Sequence, residues 1–123
     1  MTGPAPWALL RAVPDSFREC VTRVPADPPL EAGRAQRQHA GYRACLEAGG
    51  FATAMLAADE AHPDCCFIED TAVLLEGSAL LTRPGHPSRQ GEVAAVAAAL
   101  QDRMPVAAMT APATLDGGDV LRV

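Results

Sequence analysis

A chain of 123 residues with net charge −5, 49% hydrophobic and 20% charged residues has the size and composition of one ordinary globular domain. No stretch nears the ~20 apolar residues that span a bilayer, and the scattered arginines form no basic stripe for nucleic acid. Pro4, Pro6 and Arg11 interrupt any signal-peptide-like run in the opening residues, so a cytoplasmic location is expected.

In chain order, Trp7 to Val13 is a short apolar run stopped by Pro14, which predicts a buried strand ending in a turn. Residues 20–29 are irregular and proline-rich. Leu30 to Ala48 predicts an amphipathic helix with Ala35, Tyr42, Cys45 and Leu46 on its apolar face, ended by Gly49-Gly50. Phe51 to Leu56 predicts a strand, and residues 57–63 a polar loop. The clearest local pattern is a hairpin: Thr71 to Leu75, a turn at Glu76-Gly77-Ser78, then Ala79 to Thr82. Ser88 is the expected N-cap of a helix presenting Val93, Val96, Ala97 and Leu100, followed by a strand from Met104 to Met109. Asp119 to Val123 is expected to start another strand. The order strand, strand, helix, strand after residue 71, with a partial version before it, predicts an α/β fold with a mixed sheet. The chain ends inside an apolar run with no polar tail, which reads as a truncated domain.

Cys20, Cys45, Cys65 and Cys66 show no Cys-x-x-Cys pair, and His39, His62 and His86 have no i, i+4 spacing. Ordinary thiols and no metal or other cofactor are the expectation. Three polar clusters sit directly beside apolar strands. In the first, Asp64, Glu69 and Asp70 flank the apolar residues 65–68. Such carboxylates face solvent, pair with internal arginines or receive a cation, and a planar guanidinium suits paired carboxylate oxygens. In the second, Arg83 and Arg89 lie in a strand-to-helix loop, where an arginine serves as a carboxylate clamp or as a plain surface residue. The third is Asp116-Gly117-Gly118-Asp119, whose glycines permit positive φ or close backbone approach to a ligand. By itself it is a plain turn, with too few oxygen ligands for calcium.

These clusters occur together, in this order, in dimethylarginine dimethylaminohydrolases, which the chain resembles. The matching stretches are Arg11 to Phe17 (RAVPDSF), Arg37-Gln38-His39, Pro63 to Val73 (PDCCFIEDTAV), Leu81 to Arg89 (LTRPGHPSR) and Ala113 to Leu121 (ATLDGGDVL). Each is unspecific alone, but the set runs the length of the chain in register.

The resemblance implies a pentein fold, in which five strand-strand-helix-strand modules ring a substrate channel. Residues 1–123 then supply about two modules, the N-terminal part of a single domain. It also implies hydrolysis of a methylated arginine to citrulline and a methylamine through a thiouronium on a cysteine, with a histidine as acid and base. By matching position, Asp64 holds the substrate α-amino group, Glu69 and Asp70 lie beside the guanidinium, and Arg89 binds the α-carboxylate. A backbone carbonyl near Thr22, where the family usually has leucine, also meets the α-amino group. Asp116 matches the acid that orients the catalytic histidine. The nucleophile and the histidine belong to the family's C-terminal half, so neither Cys65 nor Cys66 is the nucleophile and the chain alone is expected to be inactive. Arginine deimination or amidino transfer on the same fold is one alternative. A non-catalytic half-pentein that pairs with itself or with a separate C-terminal half is another.

Overall fold

The computed structural model describes residues 4–123; residues 1–3, which enter the signal-peptide reading, lie outside the described residues. The chain divides into two compact units, one up to Cys66 and one from Phe67 onward.

In the first unit, strand β1 (Trp7–Arg11) is followed by a 3₁₀ turn (Asp15–Glu19), helix α1 (Ala32–Ala48) and strand β2 (Ala52–Leu56). β1 and β2 pair in parallel, from Trp7 against Ala52 to Arg11 against Leu56. Parallel neighbours need a crossover, which α1 provides. The strand expected to reach Val13 ends at Arg11, although the Ala12 N–H still donates to the Leu56 carbonyl at 3.0 Å. Gly49 ends α1 as expected, its N–H donating to the Cys45 carbonyl at 3.0 Å.

The expected apolar face of α1 is formed only in part: Ala35 and Leu46 are half-buried, whereas Cys45 is exposed and Tyr42 is 58% exposed. Polar groups attach the helix as well. Gln36 Nε2 donates to the Val13 carbonyl at 3.1 Å and to Asp15 Oδ1 at 2.9 Å. Arg43 Nε donates to Glu47 Oε1 at 2.9 Å and to Thr53 Oγ1 of β2 at 3.0 Å. Ala, Arg and Gln favour helix, and these ties add to the packing of its half-buried face.

The loop after β2 is organised by Asp59. His62 Nδ1 lies 2.6 Å from its Oδ2, the Ala61 N–H donates to its Oδ1 at 3.0 Å, and Arg11 Nη2 is 3.8 Å away. The hydrogen bond with His62 and that from Ala61 hold the Asp59 carboxyl below its ordinary range. A depressed carboxylate contributes stability that is present above its ordinary pKa of about 4 and is lost as pH falls through the folded value. Urea midpoints of the wild-type chain are therefore expected to fall more steeply with acidification below about pH 4 than those of Asp59→Asn. Parallel slopes for the two proteins would refute this account of the loop.

In the second unit, strand β3 (Ala72–Leu75) and strand β4 (Ser78–Leu81) form an antiparallel hairpin, from Ala72 against Leu81 to Leu75 against Ser78. The turn is Glu76-Gly77, with Ser78 already in the strand, and Gly77 takes φ +75, a backbone region open to glycine at no steric cost. A 3₁₀ segment (Pro87–Glu92) runs into helix α2 (Val93–Gln101), and strand β5 (Val106–Ala108) returns parallel to β4. The strand-strand-helix-strand order expected from residue 71 is thus observed. Val96 and Leu100 of α2 are buried, as are Ala79 and Leu81 of β4.

Two expectations fail here. Ser88 does not cap the helix, which begins at Val93 after Glu92: it lies inside the 3₁₀ segment, whose cap residue is His86, with Nδ1 accepting from the Ser88 N–H at 3.3 Å and Pro87 in the first position. Residues 119–123 form no strand. A 3₁₀ turn (Gly117–Asp119) stands there, the Val120 N–H donating to the Gly117 carbonyl at 3.1 Å. In the order β3-β4-β5 no strand pairs with this stretch, and without a ladder an apolar run stays irregular.

Candidate active site

The carboxylates at residues 69 and 70 are carried by a 3₁₀ turn (Ile68–Asp70) immediately before β3. Two buried threonines fix that turn. Thr71 Oγ1 donates to the Ile68 carbonyl at 2.6 Å, and Thr82 Oγ1 donates to the Asp70 carbonyl at 2.6 Å. The Thr82 N–H donates to the Thr71 carbonyl at 2.9 Å, so the end of β4 clamps the start of β3. Thr82→Val keeps the shape and removes the donor, leaving the Asp70 carbonyl short of a partner. It is expected to cost about 1 kcal/mol in urea unfolding, and an unchanged midpoint would remove Thr82 from the clamp.

Asp70 then bridges two elements. Its Oδ2 accepts from Arg89 Nη1 at 2.6 Å, and its Oδ1 accepts from the Gly118 N–H at 3.1 Å. The paired glycines are explained by this seat. A Cβ at Gly117 would overlap the Glu69 carbonyl oxygen and lie 3.0 Å from the Ala72 carbonyl oxygen, and one at Gly118 would overlap Asp70 Oδ1. Neither glycine has positive φ. The close approach anticipated for a ligand is made to the chain's own residues 69–72, and it fixes Asp116 next to Gly117 at the head of the 3₁₀ turn. Glu69 is exposed, and no ion pair to it occurs among the described residues.

Arg89 is not a surface arginine: its side chain is 11% exposed. Nε and Nη2 donate to Glu92 Oε2 and Oε1 at 3.1 and 2.9 Å, and Nη2 also donates to the Phe67 carbonyl at 3.3 Å. The Phe67 ring centroid lies 6.0 Å from the guanidinium carbon, within cation–π range. Burial lowers the guanidinium pKa, but the hydrogen bonds to Glu92 and Asp70 outweigh it and hold the group further above its ordinary value. Arg83, the other arginine of the loop, donates from Nη1 to the Ala113 carbonyl at 3.5 Å.

Asp64 and Thr22 belong to the first unit. Asp64 is buried, and its Oδ1 and Oδ2 share the Val21 N–H at 3.2 and 3.1 Å, which binds the exposed loop of Thr22 to the aspartate. Burial first, and then the Asp64 charge, raise the Cys20 thiol above its ordinary pKa, a state that disfavours the nucleophilic thiolate. Cys65 is 1% exposed. No disulfide joins the four cysteines.

Within the second unit, then, the structure brings together Asp70, Arg89 and the turn that follows Asp116, with Glu69 on the same seat. Sequence reasoning missed Glu92, the buried partner of Arg89. Its signal was present as Arg-x-x-Glu, the spacing at which side chains align in a 3₁₀ segment.

No family model matches the chain. In the solved structures, an arginine dihydrolase N-terminal domain from cyanobacteria superposes on 89% of this chain and 41% of its own with a TM-score of 0.76 at 17% identity, a likeness of fold alone. The dimethylarginine dimethylaminohydrolase of Pseudomonas aeruginosa in complex with citrulline superposes with a TM-score of 0.91 at 28% identity, over 97% of this chain and 47% of its own. The chain therefore has the mixed α/β architecture of the pentein proteins, over part of their length. Among curated proteins, the dimethylarginine dimethylaminohydrolase of Streptomyces coelicolor is 36% identical over 98% of this chain. The chain is a homologue of the dimethylarginine dimethylaminohydrolases, and it spans about half the length of the curated relatives it matches.

Proposed function

We propose that residues 1–123 are the N-terminal, substrate-gripping part of a single pentein domain, in a cytoplasmic enzyme that hydrolyses N-omega-methylated arginine to citrulline and a methylamine. The observation that carries the reading is the similarity, along nearly the whole chain, to a dimethylarginine dimethylaminohydrolase whose solved structure holds citrulline. Asp64, with a backbone carbonyl near Thr22, receives the α-amino group. Arg89 takes the α-carboxylate, and Glu69 and Asp70 face the guanidinium, whose fixed positive charge and planar donors match carboxylates. Asp116 orients the catalytic histidine.

In the reaction so read, a cysteine thiolate adds to the guanidinium carbon and methylamine leaves with a proton from the histidine. Water then adds to the thiouronium carbon, losing a proton to the histidine, and the thiolate departs to leave citrulline. The cysteine and the histidine come from the half of the relatives that this chain does not match, and that half is its natural partner. The burial of Cys65 and the raised pKa of Cys20 favour placing the nucleophile outside residues 1–123.

The test is citrulline formation from asymmetric dimethylarginine. The purified chain is expected to form none, and addition of the complementary half of the Streptomyces coelicolor relative is expected to produce it. Turnover by the chain alone, abolished by Cys65→Ser or Cys66→Ser, would overturn the assignment.

A further inference from the structure

We propose that Glu92 is a positioning residue for the substrate carboxylate clamp: from a buried site it grips the Nε–Nη2 edge of Arg89 and fixes the plane in which that guanidinium is presented. The proposal rests on the reading of Arg89 as the α-carboxylate ligand given above. Arg89 and Glu92 lie three residues apart on the 3₁₀ segment that precedes α2. With three residues per turn, such side chains are eclipsed rather than fanned apart, and Glu92 accepts both donors of one guanidinium edge at 3.1 and 2.9 Å. The side chain of Glu92 is 1% exposed. It stands at the head of α2 yet caps no helix N–H, so the usual use of an acid at a helix start is given up to the arginine.

A buried ion pair is a costly way to hold a turn, since well-packed apolar residues commonly serve stability as well or better. What an apolar pair cannot do is fix the direction of a guanidinium. Asp70 on Nη1 and the Phe67 carbonyl on Nη2 complete the frame, and Asp70 also receives the Gly118 N–H. Arg89 is thereby locked to the turn that bears Asp116.

The experiment follows the Arg89 Nε–H by ¹⁵N NMR in the full 123-residue chain combined with the complementary half. Two probes are used, L-citrulline and the same molecule lacking its α-carboxylate. In the wild type, citrulline is expected to shift the Arg89 signal and the carboxylate-free probe to leave it in place. Glu92→Gln is expected to weaken citrulline binding at least tenfold while binding of the carboxylate-free probe is unchanged, and Glu92→Asp to recover part of the loss. Glu92→Leu, which keeps an apolar fill if the glutamine variant folds poorly, is expected to show the same selective loss. Equal weakening for both probes marks a structural role and overturns the proposal, as does citrulline binding that is unaffected in both Glu92→Gln and Glu92→Leu, or an Arg89 signal that citrulline never moves. Hydrolysis of dimethylarginine is scored separately. Selective citrulline binding without turnover defeats the hydrolase reading and leaves the role of Glu92 standing; turnover without that selectivity does the reverse.

Discussion

Arg89→Ala is expected to destabilise the chain by about 3–5 kcal/mol, the range found when one partner of a buried ion pair is removed. The loss exceeds that of the hydrogen bonds themselves, because Glu92 keeps a 1% exposed carboxylate that has lost the two bonds Arg89 gives it. Arg89→Lys restores a charge but not the planar fork, so it is expected to recover only part of the stability. The double variant Arg89→Ala, Glu92→Leu is expected to be more stable than Arg89→Ala alone, since the buried carboxylate that lost its arginine is gone. Urea midpoints of the three variants decide the matter. A loss below about 1 kcal/mol for Arg89→Ala would show that Glu92 does not depend on the arginine.

Gly117→Val is expected to cost about 3 kcal/mol or more, at the upper end of overpacking effects. The reason is space rather than φ. The new Cβ meets the Glu69 carbonyl oxygen, a backbone group that cannot swing aside as a long side chain does. Either the 3₁₀ turn after Asp116 lifts off or residues 69–72 shift, and in both cases the Gly118 bond to Asp70 is lost. Gly41→Ala is the matched control. A Cβ there meets nothing within 4 Å, and position 41 lies inside α1, so that substitution is expected to stabilise by about 0.5–1 kcal/mol. Equal melting temperatures for Gly117→Val and the wild type would mean that the seat is not formed in solution.

The hairpin and α2 were legible because their signals are local. Two short apolar runs, residues 72–75 and 79–81, on either side of Glu76-Gly77-Ser78 specify a tight turn whatever surrounds them, and Val96 and Leu100 recur one helical turn apart. The acidic and basic clusters were legible as chemistry beside strands, and the family resemblance gave each its expected role. What was not legible depends on contacts distant in sequence. Nothing in Asp116-Gly117-Gly118-Asp119 says that its glycines fit against residues 69–72, and although the Arg89–Glu92 spacing is local, the burial that gives it weight comes from the surrounding fold. The apolar face of α1 is only half right: Ala35 and Leu46 are half-buried, whereas Tyr42 and Cys45 are exposed and Gln36 and Arg43 make polar attachments beside them. The strand expected over residues 119–123 needed a neighbour to pair with, which composition does not reveal.

The bond from Gly118 to Asp70 joins residues 48 apart in sequence, and that separation orders the folding of the second unit. The β3–β4 hairpin closes over a few residues and belongs to the microsecond class of events. Bringing the Gly117–Asp119 turn back onto Asp70 closes a far longer loop, whose entropy must be overcome before any contact rewards it. The hairpin is therefore expected to template the site and the glycine seat to lock last. By the same logic the Gly118 amide should exchange with deuterium well before those of β4, which makes it a direct reporter of whether the acids around Arg89 are assembled.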